Sequence, residues 1–175
     1  IPNLITGNSG ATGTSDGLPK TKYATIFDGP WMAGIWTGQY PTFKPVYSPI
    51  PAGAGGSVSV VGGEDIVMTA NSTHQAAAEK FIRFTQSAAF QLAMVKTGQM
   101  TVEPGLADQQ AKVAAYYKVY SDQLKTAKSR IASPNQSKID TVLNTTLTQA
   151  FLGKTTVQAA LDNAASQIDA LLAGN

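Results

Sequence analysis

Residues 57–84 read SVSVVGGEDIVMTANSTHQAAAEKFIRF, and the period of the apolar residues changes within them. From Ser57 to Ala70 β-formers dominate and Gly62-Gly63 interrupts them, so the segment predicts two short strands separated by a point where the backbone bends or admits a close neighbour. From Ser72 onward the period is helical. Ser72-Thr73-His74-Gln75 matches a capping box, and Ala77, Phe81, Phe84 and Ala88 recur at helical spacing on one face. A strand pair feeding a helix pair places the chain in the α/β class, with helix dominant because strands cluster early and helices late.

Toward the amino terminus, residues 5–17 (ITGNSGATGTSDG) are too polar and glycine-rich to pack as helix or strand and predict a loop. KYATIF (22–27) alternates like a strand, and Asp28-Gly29-Pro30 ends it, with Pro30 placed to open a short helix. FKPVYSPIP (43–51) carries β-formers and three prolines, which predicts an edge strand, and Gly53-Ala54-Gly55-Gly56 predicts a turn. Toward the carboxyl terminus, Ser87 caps a helix that Gly98 stops, and a helix is predicted through residues 111–127. The next helix carries Ile139, Val142, Leu143, Leu147 and Phe151 and ends at Gly153. Thr155-Thr156-Val157-Gln158 opens a last one with Val157, Leu161, Ala164, Ile168 and Leu171 as its inner stripe.

The chain has 175 residues, 13 basic and 11 acidic, for a net charge of +2. The charges are scattered and form no Lys/Arg block able to track a phosphate backbone, which excludes nucleic acid as a partner. Only 14% of residues are charged, so the surface is neutral and polar, as suits an extracytoplasmic protein. With no cysteine and one histidine, neither a disulfide framework nor a zinc site is expected, and nothing points to a cofactor. No apolar run approaches the roughly 20 residues that span a bilayer. Ile1 reads as a cut end, with any export signal absent.

Gly13-Thr14-Ser15-Asp16-Gly17 matches the G-x-S-x-G pattern of serine hydrolases, and His74 follows it in the right order. A nucleophile elbow needs a hydrophobic strand before it and a helix after it. Here a polar loop precedes and Leu18-Pro19 follows, so catalysis through Ser15 is the minor reading. Gly53-Ala54-Gly55-Gly56 lacks both the third glycine of a dinucleotide loop and the Lys of a phosphate loop. Glu64 and Asp65 are adjacent in a predicted strand, which points them to opposite faces and separates them as an acid/base pair. Both tryptophans fall within IFDGPWMAGIW (26–36). Trp31 in the first helical turn fits a lid on the core as well as a stacking platform for a pyranose; Trp36 fits the core.

DGPWMAGIW (28–36), the PIPAG turn (49–53), VVGGEDIVMTANS (60–72), AAAEKFIRFTQSAAFQLAMVKTGQM (76–100), YYKVYSDQLKTAKSR (116–130) and GKTTVQAALDNAASQIDALL (153–172) occur in this order. Together they resemble the carboxy-terminal half of the extracellular sugar-binding proteins of bacterial ABC transporters, the maltose-binding-protein-like group. The resemblance implies a periplasmic-binding-protein-like type II fold of two α/β lobes closing on a saccharide, here incomplete because the amino-terminal lobe is missing. It divides the chain into second-lobe residues 1–62, a crossover strand and helix pair of the first lobe at 63–103, and second-lobe closing helices at 104–175. It makes Trp31 the sugar platform and puts Gly62, Gly63 and Glu64 at the cleft. The loop SPNQSKID (133–140) has no aromatic, so Asn135 or Gln136 supplies at most a hydrogen bond there. The implied partners are a saccharide, the permease subunits, the missing lobe and, through the exposed face of Phe81, Phe84 and Phe90, a second copy of the fragment. The implied location is extracellular, with the full-length protein held at the cell surface by a lipid anchor. No catalytic role is implied. Besides the hydrolase, a stand-alone structural or adhesion module is the remaining alternative.

Overall fold

The computed structural model describes residues 17–22 and 24–174. The chain divides into two compact units, one spanning Leu18–Arg130 and one whose described residues are Gly17 and 131–174. In the first, α1 (Met32–Gln39), β1 (Val60–Val61), α2 (Gln75–Thr85), α3 (Ala88–Val95), α4 (Ala107–Val113), α5 (Tyr116–Leu124) and β2 (Lys128–Ser129) follow one another, with a 3-10 turn at Pro104–Leu106. The second is a helical hairpin of α6 (Gln136–Phe151) and α7 (Val157–Leu172).

Helix dominance is as expected, and the sheet is smaller than expected. Among the described residues the strands β1 and β2 pair in parallel, Val60 with Lys128 and Val61 with Ser129. Residues 24–29 form no strand, and neither does 43–51, where Pro45, Pro49 and Pro51 remove the amide donors a ladder needs. Residues 62–70 are exposed and outside any strand, so the second predicted β segment is not formed.

The helix boundaries follow local chemistry more closely. Ser87 Oγ accepts the Phe90 N–H at 3.3 Å and caps α3, and the chain turns at Gly98 with φ +99°. Gly153, at φ +69°, follows α6. The two capping boxes do not form as read. Ser72 Oγ accepts the His74 N–H ahead of α2, and Gln75 reaches back to the Ala70 carbonyl rather than to a cap amide. At α7 the cap is Thr156, which accepts the Ala159 N–H at 3.1 Å, and Gln158 bonds to Asp162. The predicted inner stripe of α7 forms in part: Ala164 is buried, as is Ala160 one turn before it, and Ile168 and Leu171 are half-buried, whereas Val157 and Leu161 are exposed.

The helix predicted through 111–127 is broken at Ala114, whose φ of −155° is extended. Tertiary hydrogen bonds explain the break. Residues eleven apart lie about 16 Å apart along a straight helix, yet Gln110 Nε2 donates to Ser121 Oγ at 3.1 Å, which only a fold between α4 and α5 permits. Buried Gln110 also accepts the Thr101 N–H at 2.7 Å. Buried Gln91 likewise accepts the Val102 N–H at 2.9 Å and donates to the Thr85 carbonyl. The two glutamines thus satisfy the irregular connector between α3 and α4. Beside them Met32, Trp36, Val95 and Tyr117 are buried, and Tyr117 donates its hydroxyl to the Val95 carbonyl at 2.6 Å. Phe84 meets the edge of Phe90 at 5.5 Å, while Phe81 and Phe84 are each 53% exposed.

Candidate functional site

The Asp28-Gly29-Pro30-Trp31 turn is built by its own residues. Asp28 Oδ1 accepts the Gly29 N–H at 2.8 Å, which closes a short-range polar turn. Pro30, with its fixed φ and no amide proton, then starts the helical path. The Gly29 carbonyl accepts the Met32 N–H at 3.3 Å and the Pro30 carbonyl accepts the Ala33 N–H at 3.2 Å. Trp31 caps α1 with helical angles, φ −57° and ψ −27°, and is 40% exposed. Trp36 is only 4% exposed and meets the edge of Phe43 with ring centroids 5.4 Å apart. Trp36 is therefore a core residue, as expected.

Against this turn stands a tyrosine cluster that the sequence reading did not identify. Tyr47 stacks on Tyr116 at 4.8 Å, and Tyr120 presents edges to both, at 6.1 Å and 6.3 Å. The Tyr120 hydroxyl donates to the Asp28 backbone carbonyl at 3.4 Å, so the cluster buttresses the turn that carries Trp31. Burial, and then the neighbouring Tyr116, push Tyr47 up to about 12. Burial is also the main reason that Tyr117 and Tyr120 are raised further. The available signal was YYKVY, which puts Tyr116 and Tyr120 four residues apart on one helical face; Tyr47 had no local signal at all.

The cluster carries a pH dependence. In the unfolded chain Tyr47 ionises near 10, while in the fold it holds its proton to about 12. A group raised on folding contributes stability that is complete below its unfolded value and is lost as pH climbs through the folded one. The denaturation midpoint is therefore expected to fall between pH 10 and about 12, and Tyr47→Phe should flatten part of that fall. Denaturant melts across this range, with tyrosinate absorbance followed in parallel, check it. An unchanged slope in Tyr47→Phe would count against the cluster.

The other predicted residues lie elsewhere. Gly62, Gly63 and Glu64 follow β1 on an exposed stretch, and a side chain at Gly62 would come within 4.0 Å of the Arg130 guanidinium. Gln136 occupies the first turn of α6 in the hairpin unit. Its Nε2 donates to Asp140 at 2.9 Å, and its Oε1 is buried and accepts no hydrogen bond from the described residues. Asn135 Nδ2 donates to the Leu171 carbonyl at 2.9 Å and ties the start of α6 to the end of α7. A groove of about 370 Å³ between these helices is lined by hydroxyls and amides such as Thr145, Gln149, Asn163 and Gln167, with no carboxylate pair. Ser15 lies outside the described residues, and His74 is exposed at the start of α2. Among the described residues no three His, Cys, Asp or Glu side chains group to hold a metal ion, and no helix is long and apolar enough to cross a membrane.

No curated protein matches the chain at a significant level. A family model described as bacterial extracellular solute-binding protein matches residues 4–121. This span includes the Asp-Gly-Pro-Trp turn, the Gly62-Gly63 stretch, the helix pair and most of the tyrosine cluster's helix. More than half of the sequence lies within the match, and the chain belongs to the bacterial extracellular solute-binding protein family.

Proposed function

We propose that this solute-binding chain captures a mono- or oligosaccharide and stacks it on Trp31. Membership of the family implies a captured solute and an ABC-transporter permease that receives it. The saccharide reading is supported above all by the contrast between the two tryptophans. Trp36 is withdrawn into the core, whereas Trp31, on a rigid turn braced by Tyr120, is 40% exposed. A flat aromatic surface complements the apolar C–H face of a pyranose, and neutral amides and hydroxyls complement its rim.

On this reading Gly62 and Gly63 offer backbone amides and Glu64 offers a carboxylate to sugar hydroxyls. The type II, two-lobed arrangement belongs to the same proposal, with residues 63–103 contributed to the first lobe and the flanking segments to the second. Binding rather than chemistry is the role. Calorimetric titration of the native protein with a panel of neutral mono- and oligosaccharides should yield one-to-one binding of at least one of them, with the sugar recovered unchanged. Binding of amino acids, peptides or polyamines with no response to any saccharide would refute the assignment, and cleavage of the bound sugar would replace a receptor with an enzyme.

A further inference from the structure

Gly29 lies against the indole ring of Trp31. A Cβ placed on Gly29 would stand 2.5 Å from Cε3 of that ring and closer still to Cζ3 and Cη2, whereas carbon atoms in contact sit about 3.5–4.0 Å apart. These three atoms are consecutive in the six-membered ring, and their near-equal distances put the Cβ over the ring's face rather than beyond its edge. The obstacle is a rigid aromatic plane, so a methyl group on Gly29 could be accommodated only by displacing the ring.

The backbone of Trp31 has little freedom to yield. A Cβ on Gly98, which is buried with φ +99°, would come 3.1 Å from the Trp31 Cα, so the turn after α3 already abuts it. Gly29 is held as well, by its N–H to Asp28 Oδ1 at 2.8 Å and by its carbonyl, which receives the Met32 N–H at 3.3 Å. The ring therefore rests on a fixed, bare Cα.

From this geometry we propose that Gly29 is a positioning residue of the binding platform: its missing side chain seats the six-membered ring of Trp31, so that backbone closes one indole face and only the other is presented to a ligand. The inference rests on the reading of Trp31 as the stacking surface. A one-faced platform takes a sugar ring from one side only, and its tilt sets where the hydroxyls of that ring fall. Residue 29 thereby governs both affinity and the choice among epimers.

The test uses Gly29→Ala in the native protein and reads two things independently. In a proton–nitrogen correlation spectrum the Trp31 indole N–H resonance, identified by its loss in Trp31→Ala, should move while that of Trp36 stays. Affinity for the saccharide found by calorimetry should fall about tenfold, the order expected when an aromatic contact is lost. Added to Trp31→Ala, the same substitution should cause no further loss, since there is no ring left to displace. A folded Gly29→Ala protein with unchanged resonance and affinity, or an equal loss in the Trp31→Ala background, overturns the proposal. Should Gly29→Ala fail to fold, the wild-type spectrum decides: α protons of Gly29 under an indole face are shifted upfield, and ordinary shifts overturn the seat. Undiminished saccharide affinity in Trp31→Ala, with the resonance displaced in Gly29→Ala, overturns the function reading and keeps the seat.

Discussion

Trp31→Ala is expected to weaken saccharide binding by about tenfold to a hundredfold while leaving the fold nearly intact. An aromatic contact contributes about 0.5–1.5 kcal/mol beyond the area it buries. The apolar area covered by a stacked sugar adds a similar amount at about 25 cal/mol per Å², and each 1.4 kcal/mol is about tenfold in affinity. The small effect on stability follows from position. Trp31 is 40% exposed at the cap of α1, and the residues that anchor the helix are the buried Met32, Ala33 and Trp36. Trp31→Phe keeps a flat apolar face and should retain most of the affinity. Calorimetry with the saccharide identified for the native protein, alongside a thermal melt, checks both halves. A folded Trp31→Ala protein with wild-type affinity would return Trp31 to the role of a lid on the core.

Trp36→Ala should do the opposite. Truncating a buried tryptophan leaves a cavity that the surroundings fill only in part, at about 3–5 kcal/mol, against a total stability of about 5–15 kcal/mol for a native protein. Phe43 loses the ring it meets edge-on at 5.4 Å, and α1 loses its largest inward anchor. Because the Trp31 turn is the start of that helix, a loosened α1 also loosens the platform, but the folded fraction should bind as wild type does. Urea melts are expected to show a much lower midpoint with a similar slope, and Trp36→Phe a milder fall. A change within about 0.5 kcal/mol, the range of surface substitutions, would mean that Trp36 does not hold the core.

The contrast between two tryptophans five residues apart is legible from helical geometry. At 3.6 residues per turn, positions 31 and 36 point about 140° apart, so a helix that buries one turns the other outward. Which one is buried depends on what lies beneath. Met32, Ala33 and Trp36 form the inward face because Val95 and Tyr117, from helices far along the chain, help to build the core to which they belong. The tyrosines behave likewise. Tyr116 and Tyr120 share a face by spacing alone, but the chain reaches Tyr47 only through the fold, and so do the bracing of Asp28 and the raised pKa values.

Features settled within one turn of backbone were determined by the sequence: the Ser87 cap, the reversals at Gly98 and Gly153, the Asp28-Gly29-Pro30 turn and the spans of α2 and α3. Their causes are steric and hydrogen-bonding preferences of neighbouring residues, which do not wait for a partner. Strands do wait. KYATIF and FKPVYSPIP have the composition of strands but no ladder across their described residues, while Val60–Val61 becomes a strand because Lys128–Ser129 lies beside it. The same dependence on distant groups broke the helix at Ala114, where Gln110 reaches Thr101 on one side and Ser121 on the other. It also placed a bare glycine under the ring of Trp31, a contact that the quoted letters Asp-Gly-Pro-Trp contain but that only a folded backbone, held at Gly98, turns into a seat.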